Sequence, residues 1–255
     1  MNESLLRDVL TRVAEGDLDP DEAARLLDAD APRPTAPRPA TPDVDGVAGI
    51  LVRATGVKLR VIADPSVDTA VADGPHSLRR DGATFVLEAP GEAAGTGEAP
   101  RFLSWVPAVW TGGRGERVTV RVNPGLPLTV EATACSVEVT GLAADLALAA
   151  VSCAVKVREH RGCVSGTASM CSVEVAGEIS GPGSFSCELG SLSMRLLPGS
   201  DALVTVASEM SSLRVGEARV QGGPGGSAPQ TLVAGAGSTP YDIRVLMGSG
   251  SIVAP

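Results

Sequence analysis

The feature that most constrains this chain is an 18-residue repeat that begins at Leu128. Three copies follow one another without gaps over residues 128–145, 146–163 and 164–181, and the first and third are identical at seven of eighteen positions. Two looser copies continue through residues 185–215. A fixed period is typical of stacked coils, each of which buries its apolar face against its neighbours. The repeat argues against a β-sandwich, whose strands have no reason to recur at a fixed spacing.

Short strand-like segments precede the repeat and alternate within it. Residues 50–52, 57–61, 84–87 and 118–122 are rich in strand-forming residues and are separated by Gly, Pro and Asp. No helical pattern interrupts them, which leaves a sandwich, a barrel or a solenoid among the all-β architectures. With the repeat, this predicts an all-β fold for residues 45–255: a parallel β-solenoid, or β-helix, of coils of about 18 residues.

Stacked coils place equivalent residues in columns, and the repeat predicts their identity. Three apolar columns are expected to face the core: Val137, Val155, Val173, Met194 and Leu213; Val139, Val157, Val175, Leu196 and Val215; and Leu128, Leu146, Val164, Phe185 and Val204. Two columns are expected to face solvent: Ser136, Ala154, Ser172, Ser193 and Ser212, and then Glu138, Lys156, Glu174, Arg195 and Arg214. Neighbours in the charged column are opposite in sign for its first four members, so they are expected to pair from coil to coil.

Three cysteines, Cys135, Cys153 and Cys171, recur at the repeat period in the inward phase. Cys187 is predicted to join an inward column with Val130, Leu148, Gly166 and Val206. Stacked thiols lie in a line rather than a tetrahedron, and no histidine shares their phase, so we expect them to pack as small hydrophobic side chains. Five cysteines without a CxxC pair fit reduced thiols better than disulfides. The sequence predicts no metal and no cofactor.

The first 29 residues are predicted to form a helical hairpin. Apolar residues recur at helical spacing between residues 3 and 14, and Asp19-Pro20-Asp21-Glu22 is a start signal for a second short helix. A hairpin of this size is too small to be stable alone, so its leucines are candidate contact residues: Leu6, Leu10 and Leu27. Residues 30–44 form a Pro-rich linker. We expect the hairpin to bind a protein partner or to mediate self-association.

A second candidate contact lies in residues 101–111, where Phe102, Trp105 and Trp110 include half of the aromatic residues of the chain. This stretch is predicted to be a loop between two strands. It is either a lid packed on the flank of the solenoid or an exposed apolar patch that contacts a partner or a membrane surface.

Composition and motifs exclude several classes of function. A net charge of −9 without a basic patch excludes a nucleic-acid partner, and six aromatic residues are too few for a stacking surface for sugars or bases. There is no P-loop, GxGxxG or HExxH motif, and His76 and His160 have no nucleophile motif near them. The N-terminus shows no basic region leading into an apolar one, so a cytoplasmic protein is expected, with peripheral membrane contact left open.

The order of these parts is similar to that of a known bacterial family. The hairpin LLRDVLTRVAEGDLDPDEAARLLDA, the proline spacer, coils of the TVEATACSVEVTGL type and the closing YDIRVLMGSGSIVAP together resemble the adhesin-like β-solenoid domain family of unknown function, often preceded by a short helical motif. The resemblance implies a non-enzymatic scaffold or interaction protein, linked in some members to cell-envelope stress. Bactofilins, cytoskeletal β-helices that polymerise end to end, are a neighbouring resemblance.

Three functional hypotheses follow. The first is a non-enzymatic cytoplasmic scaffold with the hairpin as its docking element. The second is a solenoid enzyme acting on a carbohydrate or acyl substrate, which would need convergent carboxylates on one long face. The third is an exported adhesin.

Overall fold

The computed structural model describes residues 46–91, 116–223 and 225–255. All regular secondary structure in these residues is β, as the sequence predicts, and it forms two ten-stranded sheets. No element in the described ranges is a helix, so none is long and apolar enough to cross a membrane. The predicted hairpin of residues 1–29 and the linker of residues 30–44 lie outside the described residues.

Twenty strands follow one another along the chain. They are β1 (Gly49–Thr55), β2 (Lys58–Ala63), β3 (Ala70–Asp73), β4 (Ser77–Asp81), β5 (Thr84–Pro90), β6 (Arg117–Val122), β7 (Leu128–Thr133), β8 (Ser136–Thr140), β9 (Leu146–Val151), β10 (Ala154–Gly162), β11 (Val164–Ser169), β12 (Ser172–Ile179), β13 (Gly183–Glu188), β14 (Ser191–Leu196), β15 (Ala202–Glu209), β16 (Ser212–Val215), β17 (Ala218–Gln221), β18 (Gln230–Ala234), β19 (Pro240–Leu246) and β20 (Ser249–Val253).

Most consecutive strands belong to different sheets, and the exceptions are the pairs β2–β3, β4–β5, β16–β17 and β18–β19, each within one sheet. The first sheet has the order β18-β15-β19-β13-β11-β9-β7-β1-β5-β4, and the second has the order β17-β16-β20-β14-β12-β10-β8-β2-β6-β3. We call a pair of consecutive strands, one in each sheet, a rung. The eight rungs stack in the order β5/β6, β1/β2, β7/β8, β9/β10, β11/β12, β13/β14, β19/β20 and β15/β16, with parallel pairing throughout.

The stack does not follow chain order at its two ends. The first rung of the chain, β1/β2, lies between β5/β6 and β7/β8, and the last, β19/β20, lies between β13/β14 and β15/β16. The two looser repeat copies, β13/β14 and β15/β16, are therefore not neighbours, although they follow one another in sequence. Met194 pairs with Ile252 of the inserted rung rather than contacting Leu213.

The 18-residue register is confirmed for the three gapless copies. Leu128, Leu146 and Val164 are paired in the first sheet, and so are Val137, Val155 and Val173 in the second, as shown by the strand pairs β7–β9, β9–β11, β8–β10 and β10–β12. The alternate residues of these strands are buried, as the repeat predicts.

The predicted register is wrong from the fourth copy onward. Val173 pairs with Leu192 rather than Met194, and Phe185 pairs with Gly166 rather than Val164. The residues of both pairs are 19 positions apart. The coil is therefore one residue longer than the repeat here, whereas the predicted columns require a spacing of 21 residues. The same shift moves Leu196 opposite Gly177, and it places Cys187 opposite Ala168 and Val245.

Antiparallel strands close both ends of the stack. At one end β3 pairs with β6 and β4 pairs with β5, and at the other β17 pairs with β16 and β18 with β15. Strand β4 reads SLRRD, and charged side chains on a short edge strand disfavour pairing with a further strand.

Aliphatic side chains from both sheets fill the space between them in one continuous core. Among the described residues the largest fully buried side chain is Tyr241, on the inserted strand β19. Its hydroxyl donates a hydrogen bond to the carbonyl oxygen of Val164, and burial raises the pKa of the phenol. The inserted rung is therefore anchored to the repeat by a buried polar contact as well as by its backbone.

Candidate functional site

The contact residues predicted from the sequence lie outside the described residues. They are Leu6, Leu10 and Leu27 of the hairpin, and Phe102, Trp105 and Trp110 of the loop. The structure therefore neither brings them together nor separates them. The candidate sites below come from the described residues only.

The most regular feature is the corner at which each rung passes from the first sheet to the second. Seven stacked rungs have one residue with a positive φ here, and we call this row the left-handed corner: Gly56 (68°), Ala134 (54°), Ser152 (55°), Met170 (55°), Leu189 (53°), Met247 (48°) and Met210 (45°). In six of these rungs the backbone N–H donates to a carbonyl of an adjoining rung, for example Met170 N to Glu188 O at 2.8 Å, and the N–H of Met210 donates to the carbonyl of Gly223. The row is thus held in register by hydrogen bonds.

In five of the seven rungs the residue after the corner position is buried, and three of these five residues are the repeat cysteines. We call Cys135, Cys153 and Cys171 the thiol ladder; each side chain is at most 5% exposed. Each sulfur of Cys153 and Cys171 accepts a hydrogen bond from the backbone N–H of the preceding cysteine, at 3.3 and 3.2 Å. Each thiol of the ladder also donates to the carbonyl two residues before it, at 3.1 to 3.2 Å.

The ladder ends where the next rung carries glycine. Gly190 follows Cys171 in this row, and a Cβ atom at Gly190 would lie 2.1 Å from the carbonyl oxygen of Cys171. No side chain fits there without moving the backbone. The thiols are therefore packed in a closed row rather than arranged around a free space.

Ionisation within the ladder is uneven. Side-chain hydrogen bonds with the thiols of Cys135 and Cys171 raise the pKa of the central Cys153 thiol, and burial adds to the rise. The same hydrogen bonds from Cys153 lower the pKa of Cys135 and of Cys171 to about 6, because they stabilise a thiolate at either end. Cys187 lies apart from the ladder, and burial raises its pKa to about 11. Among the described residues, no group of three His, Cys, Asp or Glu side chains could hold a metal ion.

We expect the thiol ladder to react slowly with a soluble alkylating reagent until the protein is denatured, because access limits the reaction more than ionisation does. Mass spectrometry of the native protein after brief labelling at pH 7.5 would measure this. Any early label is expected on Cys135 or Cys171 and not on Cys153. Rapid stoichiometric labelling of all three, or one bound zinc ion per chain, would contradict the packing interpretation.

His160 is deeply buried, at 1% exposure. It lies in β10 just after a bulge that shifts the pairing with β12, where Glu159 has a φ of 51°. Nε2 lies 3.3 Å from the carbonyl oxygen of Cys163, and burial lowers the pKa of the ring. Nδ1 has no hydrogen-bond partner. The ring is therefore a buried packing element whose Nε2 lies against a backbone carbonyl.

Charged side chains on the outer faces pair with one another. Arg53 contacts Glu131 at 2.8 Å and Glu88 at 3.6 Å on the first sheet. On the second sheet the predicted Lys156–Glu174 pair is confirmed at 4.0 Å. The predicted Glu174–Arg195 pair is wrong, because Ser193 lies opposite Glu174 in the observed register. Such half-exposed pairs contribute only about 0.2–1 kcal/mol each.

An open groove of about 420 Å³ lies on the outer face of the first sheet. Small side chains such as Ala149 and Thr167 form its floor, and Arg53 and Glu131 are its charged residues. Because these two bind each other, the groove presents no pair of convergent carboxylates.

The outer side of the left-handed corner is apolar over four consecutive rungs. Met170, Leu189, Met247 and Met210 are 54%, 51%, 47% and 49% exposed. We call these four residues the apolar ridge. Sequence reasoning missed it, although a shared signal exists: each residue is followed by a small residue and then by serine, as in MCS (170–172), LGS (189–191), MSS (210–212) and MGS (247–249).

Comparison with known proteins gives one distant structural neighbour. No family model matches the chain, and no curated protein matches it in sequence. The crystal structure of a "putative cell adhesion protein" from Clostridium sporogenes has a TM-score of 0.46 and 9% sequence identity, over 84% of this chain and 96% of that one. The resemblance to the adhesin-like family therefore rests on the sequence motifs described above.

Proposed function

We propose that residues 45–255 form a parallel β-solenoid that acts as a non-enzymatic scaffold for protein interaction. The observation that carries this proposal is the stack of eight rungs on one continuous core. Parallel strands that pair over seven successive steps share backbone hydrogen bonds along the whole stack, so each rung is supported by both neighbours. Such a stack can hold attached segments at fixed positions.

The chemistry of the described side chains favours a scaffold over a solenoid enzyme. An enzyme acting on a carbohydrate would need two carboxylates facing a substrate groove. The carboxylate in the groove, Glu131, is paired with Arg53, and the buried thiols and His160 bond to backbone carbonyls. Glu131 and the ladder thiols are thus partnered within the protein. His160 contacts a backbone carbonyl through Nε2, while its Nδ1 has no partner. These contacts support a structural role for the groups.

The closed ends of the stack favour a discrete scaffold over a bactofilin-like filament. End-to-end polymerisation of a β-helix would use terminal strands that can accept a further parallel rung. Here the four terminal strands, β3, β4, β17 and β18, are antiparallel to their neighbours. The charges of Arg79, Arg80 and Asp81 on β4 oppose addition of another strand.

In this proposal the hairpin of residues 1–29 is the docking element, joined by the linker of residues 30–44. Its leucines, Leu6, Leu10 and Leu27, would bind a protein partner or a second copy of the chain. The aromatic loop of residues 101–111 would act as a lid or as a second contact, with a partner or with a membrane surface. The protein is proposed to be cytoplasmic, without a nucleic-acid partner, and the resemblance adds a link to cell-envelope stress.

We expect removal of residues 1–44 to leave the fold intact and to abolish self-association or partner capture. The test compares the full chain with a chain that starts at residue 45, by melting temperature, by mass in solution and by pull-down from native lysate. Equal melting temperatures with fewer chains per particle or with lost partners would support the proposal. If both proteins form particles with the same number of chains and capture the same partners, the hairpin is not the docking element.

A further inference from the structure

The apolar ridge is a single row of side chains, although its members are far apart in sequence. The Met170 N–H donates to the carbonyl of Glu188, the Leu189 N–H to that of Leu246, and the Met247 N–H to that of Glu209. These bonds join four consecutive rungs, β11/β12, β13/β14, β19/β20 and β15/β16. The insertion of β19/β20 is what makes the row continuous, because it places Met247 between Leu189 and Met210.

The backbone at these positions is unfavourable for large side chains. A left-handed φ suits glycine and, to a lesser degree, asparagine and aspartate. The other rungs of the left-handed corner carry small residues at this position, Gly56, Ala134 and Ser152. Four consecutive rungs instead carry methionine or leucine, about half exposed. Neither backbone conformation nor solvent explains this choice, whereas contact with an apolar surface does.

The borders of the ridge are acidic on one side and neutral on the other. On the side of the first sheet the adjoining residues are Ser169, Glu188, Leu246 and Glu209. On the side of the second sheet they are Ser172, Ser191, Ser249 and Ser212. The two glutamates are the charged residues of these two rows. A contacting surface would therefore gain from basic side chains beside its apolar ones.

The spacing of the ridge matches an α-helix. Successive rungs are about 4.8 Å apart, so the second, third and fourth ridge residues lie about 4.8, 9.6 and 14.4 Å along the row. Helix positions i+3, i+7 and i+10 lie about 4.5, 10.5 and 15 Å along a helix axis. Alternate residues of an extended strand are about 6.8 Å apart and lose this match after one step. Methionine side chains adapt readily to the shapes of different partners.

We propose that the apolar ridge docks an amphipathic helix of a partner protein, which lies along the stack with its apolar stripe on the ridge. Lysine or arginine residues beside that stripe pair with Glu188 and Glu209. Four half-exposed side chains offer far less area than the roughly 800 Å² per partner that stable dimers bury, so a single helix fits the ridge better than a second copy of the chain does.

The test measures binding of a synthetic helical peptide to the full chain. The probe is an 18-residue peptide of leucine and lysine with leucines at i, i+3, i+7, i+10 and i+14; the control peptide has the same composition in an order that forms no stripe. Fluorescence anisotropy is expected to give at least tenfold tighter binding of the striped peptide. The fourfold variant Met170→Ser, Leu189→Ser, Met247→Ser and Met210→Ser is expected to lose at least tenfold in affinity.

A matched variant changes exposed apolar residues away from the ridge: Val71→Ser, Leu203→Ser and Val233→Ser, which are 40%, 37% and 55% exposed in the native protein. It is expected to bind the striped peptide as the native chain does. Glu188→Gln with Glu209→Gln is expected to weaken binding and to reduce its salt dependence. If the fourfold variant does not fold, Met247→Lys alone tests the ridge, because its charge repels the basic helix.

Three results would overturn the proposal. The first is equal affinity for the striped and scrambled peptides. The second is unchanged affinity in the folded fourfold variant, or in Met247→Lys. The third is a ridge variant that changes the mass of the protein in solution, or its sedimentation with phosphatidylcholine vesicles, while peptide binding stays the same. That result would assign the ridge to a second copy or to a lipid surface. None of these outcomes depends on residues 1–44, so this test stands apart from that of the scaffold.

Discussion

Val173→Asp is expected to unfold the stack of rungs, whereas Glu174→Ala at the next position is expected to leave its stability nearly unchanged. Val173 is 2% exposed and lies in the middle of the stack, paired with Val155 on one side and Leu192 on the other. A carboxylate at this position would be buried without a partner, which costs several kcal/mol. Since a domain has only about 5–15 kcal/mol of net stability, most or all of it would be lost.

Glu174 is the matched control because it belongs to the same strand and faces solvent. Its ion pair with Lys156 spans 4.0 Å between half-exposed side chains, so its removal costs at most about 1 kcal/mol. Thermal unfolding followed by circular dichroism measures both variants. Equal melting temperatures would show that the inward and outward faces of β12 are assigned the wrong way round.

Gly166→Ala is expected to destabilise the protein by about 3 kcal/mol or more. Gly166 has a φ of 137°, and a Cβ atom there would lie 1.9 Å from the carbonyl oxygen of Leu148. That oxygen belongs to the backbone of the adjoining strand β9, so relief of the clash requires separation of two paired strands. Phe185, in the rung on the other side, would lose its packing as the strands move.

Gly223→Ala is the control for this prediction, because a Cβ atom at Gly223 would meet nothing within 4 Å. Urea denaturation with a common slope gives the two free energies of unfolding. The control is expected to lie within about 0.5 kcal/mol of the native chain. If the two variants unfold at the same urea concentration, β11 does not pack against β9 as described.

The candidate contact residues show how far the sequence carries a functional prediction. Helical spacing and the clustering of tryptophans are visible along the chain, so they led to Leu6, Leu10, Leu27, Phe102, Trp105 and Trp110, which remain predictions. The apolar ridge is different, because its four residues come from rungs that are far apart in sequence. Only the pairing of β19 with β13 and β15 makes Met247 a neighbour of both Leu189 and Met210.

The sequence by itself determined the all-β class of the described residues, the 18-residue register of the three gapless copies, and the alternation of buried and exposed residues within them. These follow from local pattern, because a strand places every second side chain on the same face and repeats of equal length place equivalent residues side by side in the stack. Tertiary structure alone decided the shifted register of β13/β14, the insertion of β1/β2 and β19/β20 into the stack, and the antiparallel strands that close its ends. The physical reason is that parallel pairing joins backbone N–H and C=O groups, which every strand has, so the pairing itself does not select a partner strand. Which strands become neighbours is therefore decided by the fit of side chains such as Tyr241 across the core, over separations that no local pattern records.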